Sequence, residues 1–211
     1  MSDDYIKGID VSSVQGTNID WNAVAASGIQ FSFMKCGNGN DGFDPTYSNN
    51  IDAANAAGIK TASYHFTYPL PNSPGHPNRD PVEQATLHFN HCKTSVVAID
   101  LEWPATQDWA KWGVDAQFIN DWCLKYLETY SDLAARMPLV YTYPYWSKAV
   151  NFSQDIARYA LWIASYEATP VIPKPWTDFA FWQTSGGGGK LPNGTPVDTN
   201  VTRDLSYWNE G

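Results

Sequence analysis

The sequence has little positive charge and no long hydrophobic run. Its 211 residues include 13 lysines and arginines against 22 aspartates and glutamates, which gives a net charge of −9. A nucleic-acid-binding surface needs a basic patch, so nucleic acid is not an expected partner. No apolar stretch reaches the roughly 20 residues that cross a bilayer. The polar start Met1–Lys7 also lacks the basic-then-apolar pattern of a signal peptide. We therefore expect a chain made in the cytoplasm without a signal peptide and not inserted into membranes. We also expect it to be a monomer.

Cysteine is also scarce. Cys36, Cys92 and Cys123 form an odd, scattered set, which does not indicate a disulfide framework. Cys36 and Cys123 lie in apolar patterns and are predicted to be buried thiols. His88 and His91 stand near Cys92, but a metal site there would need further ligands. The sequence therefore predicts neither a metal site nor a cofactor.

Aromatic residues, in contrast, are plentiful, with 10 tryptophans and 12 tyrosines. Most are expected in the core, where such rings bury large apolar areas. The remainder would suit a carbohydrate site, because flat rings stack on sugar faces.

The clearest chemical signal is the stretch Val96–Pro104, V-V-A-I-D-L-E-W-P. A β-branched run without polar alternation is typical of a strand buried on both faces. Since side chains alternate along a strand, Asp100 and Glu102 point the same way, with Cα atoms about 6.5 Å apart. Two such carboxyl groups can divide the work of cleaving a glycosidic bond, one protonated and the other ionised. A D-x-E triplet also occurs where the Asp caps a helix and the Glu forms an ion pair.

Eight runs along the chain are predicted to be strands, separated in the first half by helices. The strands are Tyr5–Val11, Ile29–Lys35, Ile59–Phe66, Val96–Glu102, Leu139–Tyr143, Tyr159–Ala164, Phe179–Gln183 and Val197–Val201; the helices are Trp21–Ala26, Thr46–Ala57, Val82–His91 and about Val114–Tyr130. Strands separated by helices favour parallel pairing. The predicted fold class is α/β, a single irregular (β/α)-barrel of about eight strands with helices mainly in the first half. With no repeat and no linker, residues 1–211 are predicted to be one domain.

Polar side chains recur at or near the ends of these strands. They are Asp10, His65, Asp100, Glu102, Tyr143, Gln183 and Asp198. In a closed barrel the carboxyl ends of the strands converge on one cleft, so we expect these residues to meet. Crowded carboxylates raise one another's pKa values, as a general acid requires.

A set of motifs in fixed order resembles glycoside hydrolase family 25, the Chalaropsis-type lysozymes. The motifs include G-I-D-V-S-S-V-Q-G at Gly8–Gly16, A-A-G-I-K-T-A-S-Y-H-F at Ala56–Phe66, A-I-D-L-E-W at Ala98–Trp103, F-W-Q at Phe181–Gln183 and V-D-T-N-V at Val197–Val201. The likeness covers nearly the whole chain. In many members the second-strand motif ends Glu-Gly, whereas this chain has Asn38–Gly39.

The resemblance implies a modified TIM-like barrel and an N-acetylmuramidase that hydrolyses the β-1,4 bond between N-acetylmuramic acid and N-acetylglucosamine in peptidoglycan. Glu102 would be the general acid/base. Asp100 would assist an N-acetyl group acting as nucleophile, or activate a water directly, and Asp10 and Asp198 would complete the acidic cleft. The whole chain would be the catalytic domain, without a separate cell-wall-binding domain. The expected biological role is that of a phage-type endolysin, and the alternative role is that of a bacterial autolysin.

Aromatic residues near the strand ends are candidates for stacking on the sugars. With Gln183, the predicted substrate-binding set is Tyr64, Trp103, Tyr143, Tyr166 and Trp182, and Phe66 and Trp162 are further candidates. On alternation several of these rings must point into the wall instead. Tyr64 and Phe66 lie on the face opposite His65, and we expect Tyr64 to face the cleft.

Two other functions fit part of the pattern. One is a glycosidase acting on another N-acetylated polysaccharide such as chitin, but the longer chitinase signature needs carboxylates where Ala98 and Ser95 stand. The other is a non-catalytic carbohydrate-binding barrel, which would be expected to have lost Glu102.

Two further patterns carry no predicted function. Gly186–Lys190 lacks the Ser or Thr of a phosphate-binding loop, so it is predicted to be a flexible turn. Asn200 opens an N-x-T triplet, but a glycan there would lie two residues from Asp198.

Overall fold

The computed structural model describes residues 5–39, 42–73 and 79–209. In these ranges the chain forms nine strands and six α-helices. The strands are β1 (Ile6–Val11), β2 (Ile29–Asn38), β3 (Gly42–Phe43), β4 (Lys60–Phe66), β5 (Val96–Asp100), β6 (Leu139–Thr142), β7 (Leu161–Ala164), β8 (Phe181–Lys190) and β9 (Pro196–Thr202). The helices are α1 (Trp21–Ala26), α2 (Tyr47–Ala56), α3 (Pro81–His91), α4 (Trp109–Trp112), α5 (Ala116–Ala134) and α6 (Pro144–Val150).

Eight of the described strands close into a barrel. The order around it is β1, β9, β8, β7, β6, β5, β4, β2, and pairing of β2 with β1 closes the ring, while β3 lies outside on β2. Neighbours from β1 through β2 and β4 to β8 pair in parallel. The predicted α/β barrel of about eight strands is therefore confirmed.

Strand β9 departs from the parallel arrangement, since it runs antiparallel to both β8 and β1. Its beginning therefore lies at the barrel end where the parallel strands finish. Asp198 is near that beginning, and its Cα is the direct partner of Asp10 on β1. Asp198 therefore lies beside the carboxyl ends of the other strands, as predicted. It does so because β9 runs in the opposite direction, and not because it stands at the carboxyl end of its own strand.

The barrel interior is filled with aromatic rings. Phe33 stacks on Trp162 with ring centroids 4.0 Å apart and meets Phe181 edge-on at 5.0 Å. The rings come so close to the wall that a Cβ on Gly8 would lie 2.3 Å from the Phe31 ring. Because the interior is packed, only the mouth of the barrel is left for binding and chemistry.

Helices cover the outer face of the barrel in two layers. One apolar layer lies beneath α3, α5 and α6, with buried α5 residues such as Tyr126 and Leu127 as predicted. The other lies beneath α1 and α2, around Trp21 and Ile51. Helix α6 was not predicted, although Pro144 stands at its first turn, a position that favours proline.

The glycine-rich segment is also different from its prediction. Gly186–Lys190 is the second half of β8, with Gly189 opposite Val197 and Lys190 opposite Pro196. A Cβ on Gly189 would lie 2.5 Å from Thr199 and 2.9 Å from the carbonyl oxygen of Val197. The flexible turn predicted there is wrong, because glycine instead allows β8 and β9 to approach closely.

None of the helices in the described ranges is both long and apolar enough to span a membrane.

Replacement of Phe33 by alanine should test the packed interior. The loss of a fully buried phenyl ring is expected to cost about 3–5 kcal/mol in the free energy of unfolding. Denaturant unfolding measures this value. Phe43→Ala is the matched control, since Phe43 is 47% exposed and should lose far less. Equal losses in the two variants would contradict the interior packing.

Candidate active site

Asp100 and Glu102 lie together at the mouth of the barrel. Asp100 is the last residue of β5 and is buried, while Glu102 follows two positions later and is half-buried. The amide of Leu101 between them donates to the carbonyl oxygen of Tyr141, so strand pairing continues past Asp100. Burial raises the pKa of Asp100 well above its usual range, and the charge of Glu102 raises it further. The two carboxyl groups are therefore neighbours on one face, as predicted.

Asp10 is another buried carboxyl group at the mouth of the barrel. Its Oδ2 accepts hydrogen bonds from Asn200 Nδ2 at 2.7 Å and Gln183 Nε2 at 2.9 Å. Burial, followed by the charge of Asp198, raises the pKa of Asp10 to about 7 despite these hydrogen bonds. Asp10 therefore carries its proton up to near neutral pH.

The side chain of Gln183 connects the aspartates to the tyrosines of the cleft. Its Oε1 accepts hydrogen bonds from the hydroxyls of Tyr141 at 3.0 Å and Tyr166 at 2.9 Å. Its Nε2 donates to Asp10 and, at 3.3 Å, to Asp198 Oδ2. Because two phenols occupy the oxygen, the amide nitrogen is held toward the carboxylates.

The four predicted carboxyl groups act on one another across the cleft. The charge of Asp10 raises the pKa of Asp100, and the charge of Asp198 raises the pKa of Glu102. Burial remains the largest cause in both cases. Asp100 and Glu102 thus belong to one site with the aspartates of β1 and β9.

Lys35 places a positive charge in this acidic site and was missed by the sequence reasoning. It lowers the pKa values of both Asp100 and Glu102, in opposition to burial. Its position on β2 follows the alternation of Phe31 and Phe33, whose rings are inside the barrel. That alternation was the available signal, because it directs Lys35 inward at the carboxyl end of the strand.

Asn200 was also missed as a site residue. Its side chain is buried, with Oδ1 accepting from Trp162 Nε1 at 2.8 Å and Nδ2 donating to Asp10. A buried side chain with these partners is unsuited to carry a glycan in the folded protein. The signal in the sequence was its spacing of two from Asp198, which puts both side chains on one face of β9.

A cavity of about 460 Å³ opens beside Glu102. Four tyrosines line it, namely Tyr141, Tyr143, Tyr145 and Tyr166. Tyr143 is half-buried, and burial together with the charge of Glu102 raises its pKa. Tyr145 and Tyr166 are 68% and 60% exposed, so their rings are available to a ligand. Tyr145 was not among the predicted binding residues.

Tyr64 faces the barrel interior, as predicted. Burial raises the pKa of its hydroxyl, and the charges of Asp10 and Asp100 add to that shift. His65 lies on the outer face instead, where its Nδ1 contacts the Tyr126 hydroxyl at 2.8 Å. Because side chains alternate along β4, Tyr64 points toward the site and His65 points away from it.

Three tryptophans occupy different places around the barrel. Trp103 is half-buried and packs edge-on against Tyr68 with ring centroids 5.2 Å apart. Trp182 lies in the outer apolar layer at 2% exposure and donates to the carbonyl oxygen of Ser165. The prediction that Trp182 stacks on sugar is wrong, because alternation along β8 turns it away from Gln183. Trp162 is buried beneath the site within the barrel.

Potential metal ligands cluster outside this cleft. Among the described residues one group of His, Cys or acidic side chains has its ligand atoms close enough together to hold an ion. The group consists of Cys36, His88 and Cys92.

The chain is similar in sequence to proteins named lysozyme and muramidase. It is 25% identical over 198 residues to Lysozyme M1 of Streptomyces globisporus, covering 87% of this chain and 63% of that protein. It is 25% identical over 209 residues to the N,O-diacetylmuramidase of Chalaropsis sp, covering 90% and 95%. The chain thus spans less than two thirds of the length of the Streptomyces relative.

The fold is shared with solved structures. The bacterial lysozyme from Streptomyces coelicolor superposes with a TM-score of 0.84 at 24% identity, covering 97% of each chain. The family model for Glycosyl hydrolases family 25 matches residues 9–190. Since that match includes most of the barrel and all of the cleft residues but Asp198 and Asn200, the protein belongs to glycosyl hydrolase family 25.

Proposed function

We propose that the protein is a lysozyme of the N-acetylmuramidase type. It would hydrolyse the β-1,4 bond between N-acetylmuramic acid and N-acetylglucosamine in bacterial peptidoglycan. The observation that carries the proposal is the convergence of four carboxyl groups at the barrel mouth, three of them with raised pKa values. Relatives named lysozyme and N,O-diacetylmuramidase support the substrate class.

Glu102 is the proposed general acid/base. Glu102 is more exposed than Asp100, and it lines the tyrosine cavity where a sugar can reach it. Its raised pKa keeps a proton available at higher pH than an ordinary glutamate would. Lys35 opposes that shift, so the balance between burial and Lys35 sets the pH at which Glu102 ionises.

Asp100 is proposed to act on the group that attacks the anomeric carbon. Its Oδ1 is buried and has no hydrogen-bond partner among the described residues. Asp100 must be ionised for this role, which the positive charge of Lys35 favours against burial and the charge of Glu102. The ionised oxygen would then accept the N–H of a substrate N-acetyl group or the proton of an attacking water. Either choice makes Asp100 the partner of Glu102, and the stereochemical outcome follows from which one operates.

Asp10 and Asp198 are proposed to complete the acidic cleft. Asp10 is enclosed by the amides of Gln183 and Asn200, which leaves it poorly placed to donate a proton to a sugar. Its contribution is to raise the pKa of Asp100, as Asp198 does for Glu102. These two aspartates therefore tune the proton equilibria of Asp100 and Glu102.

The sugar-binding surface is proposed to consist of tyrosines with Gln183 behind them. Tyr143 and Tyr166 line the cavity, and Tyr64 faces the interior close to the aspartates. Trp103 follows Glu102 directly and is proposed to contact sugar at the rim. Rings of this kind present flat apolar faces with polar edges, which suits a polysaccharide.

The proposed place of action is the bacterial cell wall. Residues 1–211 are proposed to be one catalytic unit that acts as a monomer on peptidoglycan. A phage endolysin and a bacterial autolysin both fit this activity, and the endolysin role stays a prediction.

Replacement of Glu102 by glutamine should remove the proton donor while keeping the side chain's size. The clearing rate of purified cell walls is expected to fall by about 10²–10⁴-fold. New reducing ends released by the unaltered protein should lie on N-acetylmuramic acid. Glu167→Gln is the matched control, since Glu167 is exposed and lines the same cavity, and it should retain most of the activity. Equal clearing by Glu102→Gln and the unaltered protein would end the acid assignment, and reducing ends on glucosamine would indicate another bond.

Replacement of Lys35 by methionine should shift the pH profile of kcat/KM. The positive charge of Lys35 favours ionised Asp100 and Glu102, so its removal raises their pKa values further. A general acid with a higher pKa stays protonated to higher pH, so the alkaline limb of the profile should move upward. Lys7→Met on β1, which is exposed, is the control and should leave the limb in place. A downward movement, or none, would contradict the role of Lys35.

A further inference from the structure

Three potential metal ligands meet on the outer side of the barrel wall. Cys36 lies on the outer face of β2, whereas His88 and Cys92 stand one helical turn apart at the end of α3. The sulfurs of Cys36 and Cys92 are 3.6 Å apart, and the three ligand atoms all lie within 4.8 Å of one another. None of these residues takes part in the proposed hydrolysis.

A chain of hydrogen bonds determines which nitrogen of His88 carries its proton. His65 Nε2 lies 2.8 Å from the carbonyl oxygen of Gly39, which can only accept, so this nitrogen is protonated. Burial lowers the pKa of His65 to about 4, so the ring is neutral and its Nδ1 accepts from the Tyr126 hydroxyl at 2.8 Å. The Tyr126 oxygen then accepts from His88 Nδ1 at 2.6 Å.

His88 Nε2 is consequently left with a free lone pair. Because Nδ1 donates its proton to the Tyr126 oxygen, Nε2 is the unprotonated nitrogen of the neutral ring. Within the described part of the chain Nε2 has no hydrogen-bond partner, and the side chain is 1% exposed. A buried acceptor without a partner is unusual in folded proteins and calls for an explanation.

We propose that Cys36, His88 and Cys92 bind a zinc ion that joins β2 to the end of α3. Zinc–sulfur bonds of about 2.3 Å and tetrahedral angles put two ligating sulfurs about 3.8 Å apart, close to the observed 3.6 Å. Imidazole nitrogen with two thiolates is a donor set that suits zinc. The hydrogen bond from His88 Nδ1 to Tyr126 is the outer contact that orients metal-binding histidines.

The charge of the filled site also suits its buried position. Each thiol loses its proton to solvent when the ion binds, and His88 loses none because its Nε2 is already unprotonated. Two thiolates and one Zn²⁺ leave no net charge, so burial of the filled site is not opposed by an unpaired charge. Because both thiols must lose their protons, binding should strengthen as pH rises.

One of the three proposed ligands lines a cavity at the surface. Cys92 is half-buried and lines a cavity of about 520 Å³ together with Thr94, Tyr130 and Arg136. An ion can enter by this cavity, and a water molecule from it can take the fourth coordination position. The sequence predicted no metal because Cys36 lies 56 positions from Cys92 and only the fold brings them together.

Titration of the full chain with cobalt tests the site. The protein is first reduced with a phosphine and treated with a chelator, which is then removed. Co²⁺ should produce a thiolate-to-cobalt charge-transfer band that saturates at one ion per chain, and Zn²⁺ should abolish the band. Zinc binding should release two protons per ion at a pH where both thiols are protonated, and it should raise the Tm.

Matched variants identify the ligands. Cys36→Ser and Cys92→Ser should lose the charge-transfer intensity of one sulfur each and weaken zinc binding by more than tenfold. Cys123→Ser is the control, because Cys123 is a buried thiol outside the group, and it should bind as the unaltered chain does. Tyr126→Phe removes only the hydroxyl that sets the His88 proton, and it should weaken binding by about 10–100-fold.

Results from the unaltered protein or from the two cysteine variants can overturn the proposal. A reduced chain that gives no charge-transfer band and no zinc-dependent rise in Tm would do so. Formation of a Cys36–Cys92 disulfide in air by a chain that binds no zinc when reduced would assign the sulfurs to redox chemistry instead. Zinc binding that persists at full strength in both cysteine variants would place the ion elsewhere.

Discussion

The burial of Asp10 at the mouth of a closed barrel is the constraint on which the cleft depends. A carboxylate removed from water is strongly disfavoured unless hydrogen bonds or a proton compensate it. Asn200 and Gln183 supply the hydrogen bonds, and the pKa of about 7 shows that they only partly offset burial and the nearby Asp198. The two amides are held in turn by hydrogen bonds with Trp162, Tyr141 and Tyr166, so the donors to Asp10 are themselves fixed in place.

The filled barrel interior explains why this network lies where it does. Phe33, Trp162 and Phe181 occupy the space below the mouth, so no polar ligand can enter more deeply. The indole N–H of Trp162 still needs a buried acceptor, and Asn200 provides it while donating to Asp10. Aromatic packing and carboxylate placement are therefore linked through a single amide side chain.

Much of the barrel and half of the site were accessible to sequence reasoning. The predicted strands match the structure because β-branched and aromatic runs between helices are strong signals. Alternation correctly placed Asp100 with Glu102 and Tyr64 toward the cleft. The same rule turns Trp182 outward when it is applied to Phe181–Gln183. Applied to Phe31–Lys35, it turns Lys35 inward. The errors at these positions arose because residue type was given more weight than the face of the strand.

The sequence by itself determined the strand faces, the motif order and the acidic character of the mouth, because period-two alternation and residue chemistry are local properties. The tertiary structure alone decided which distant residues meet. Reversal of β9 sets Asp198 opposite Asp10, and the packing of α3 against β2 brings Cys36 to Cys92. Such contacts depend on strand direction and on helix docking, and neither is encoded in the spacing of residues along the chain.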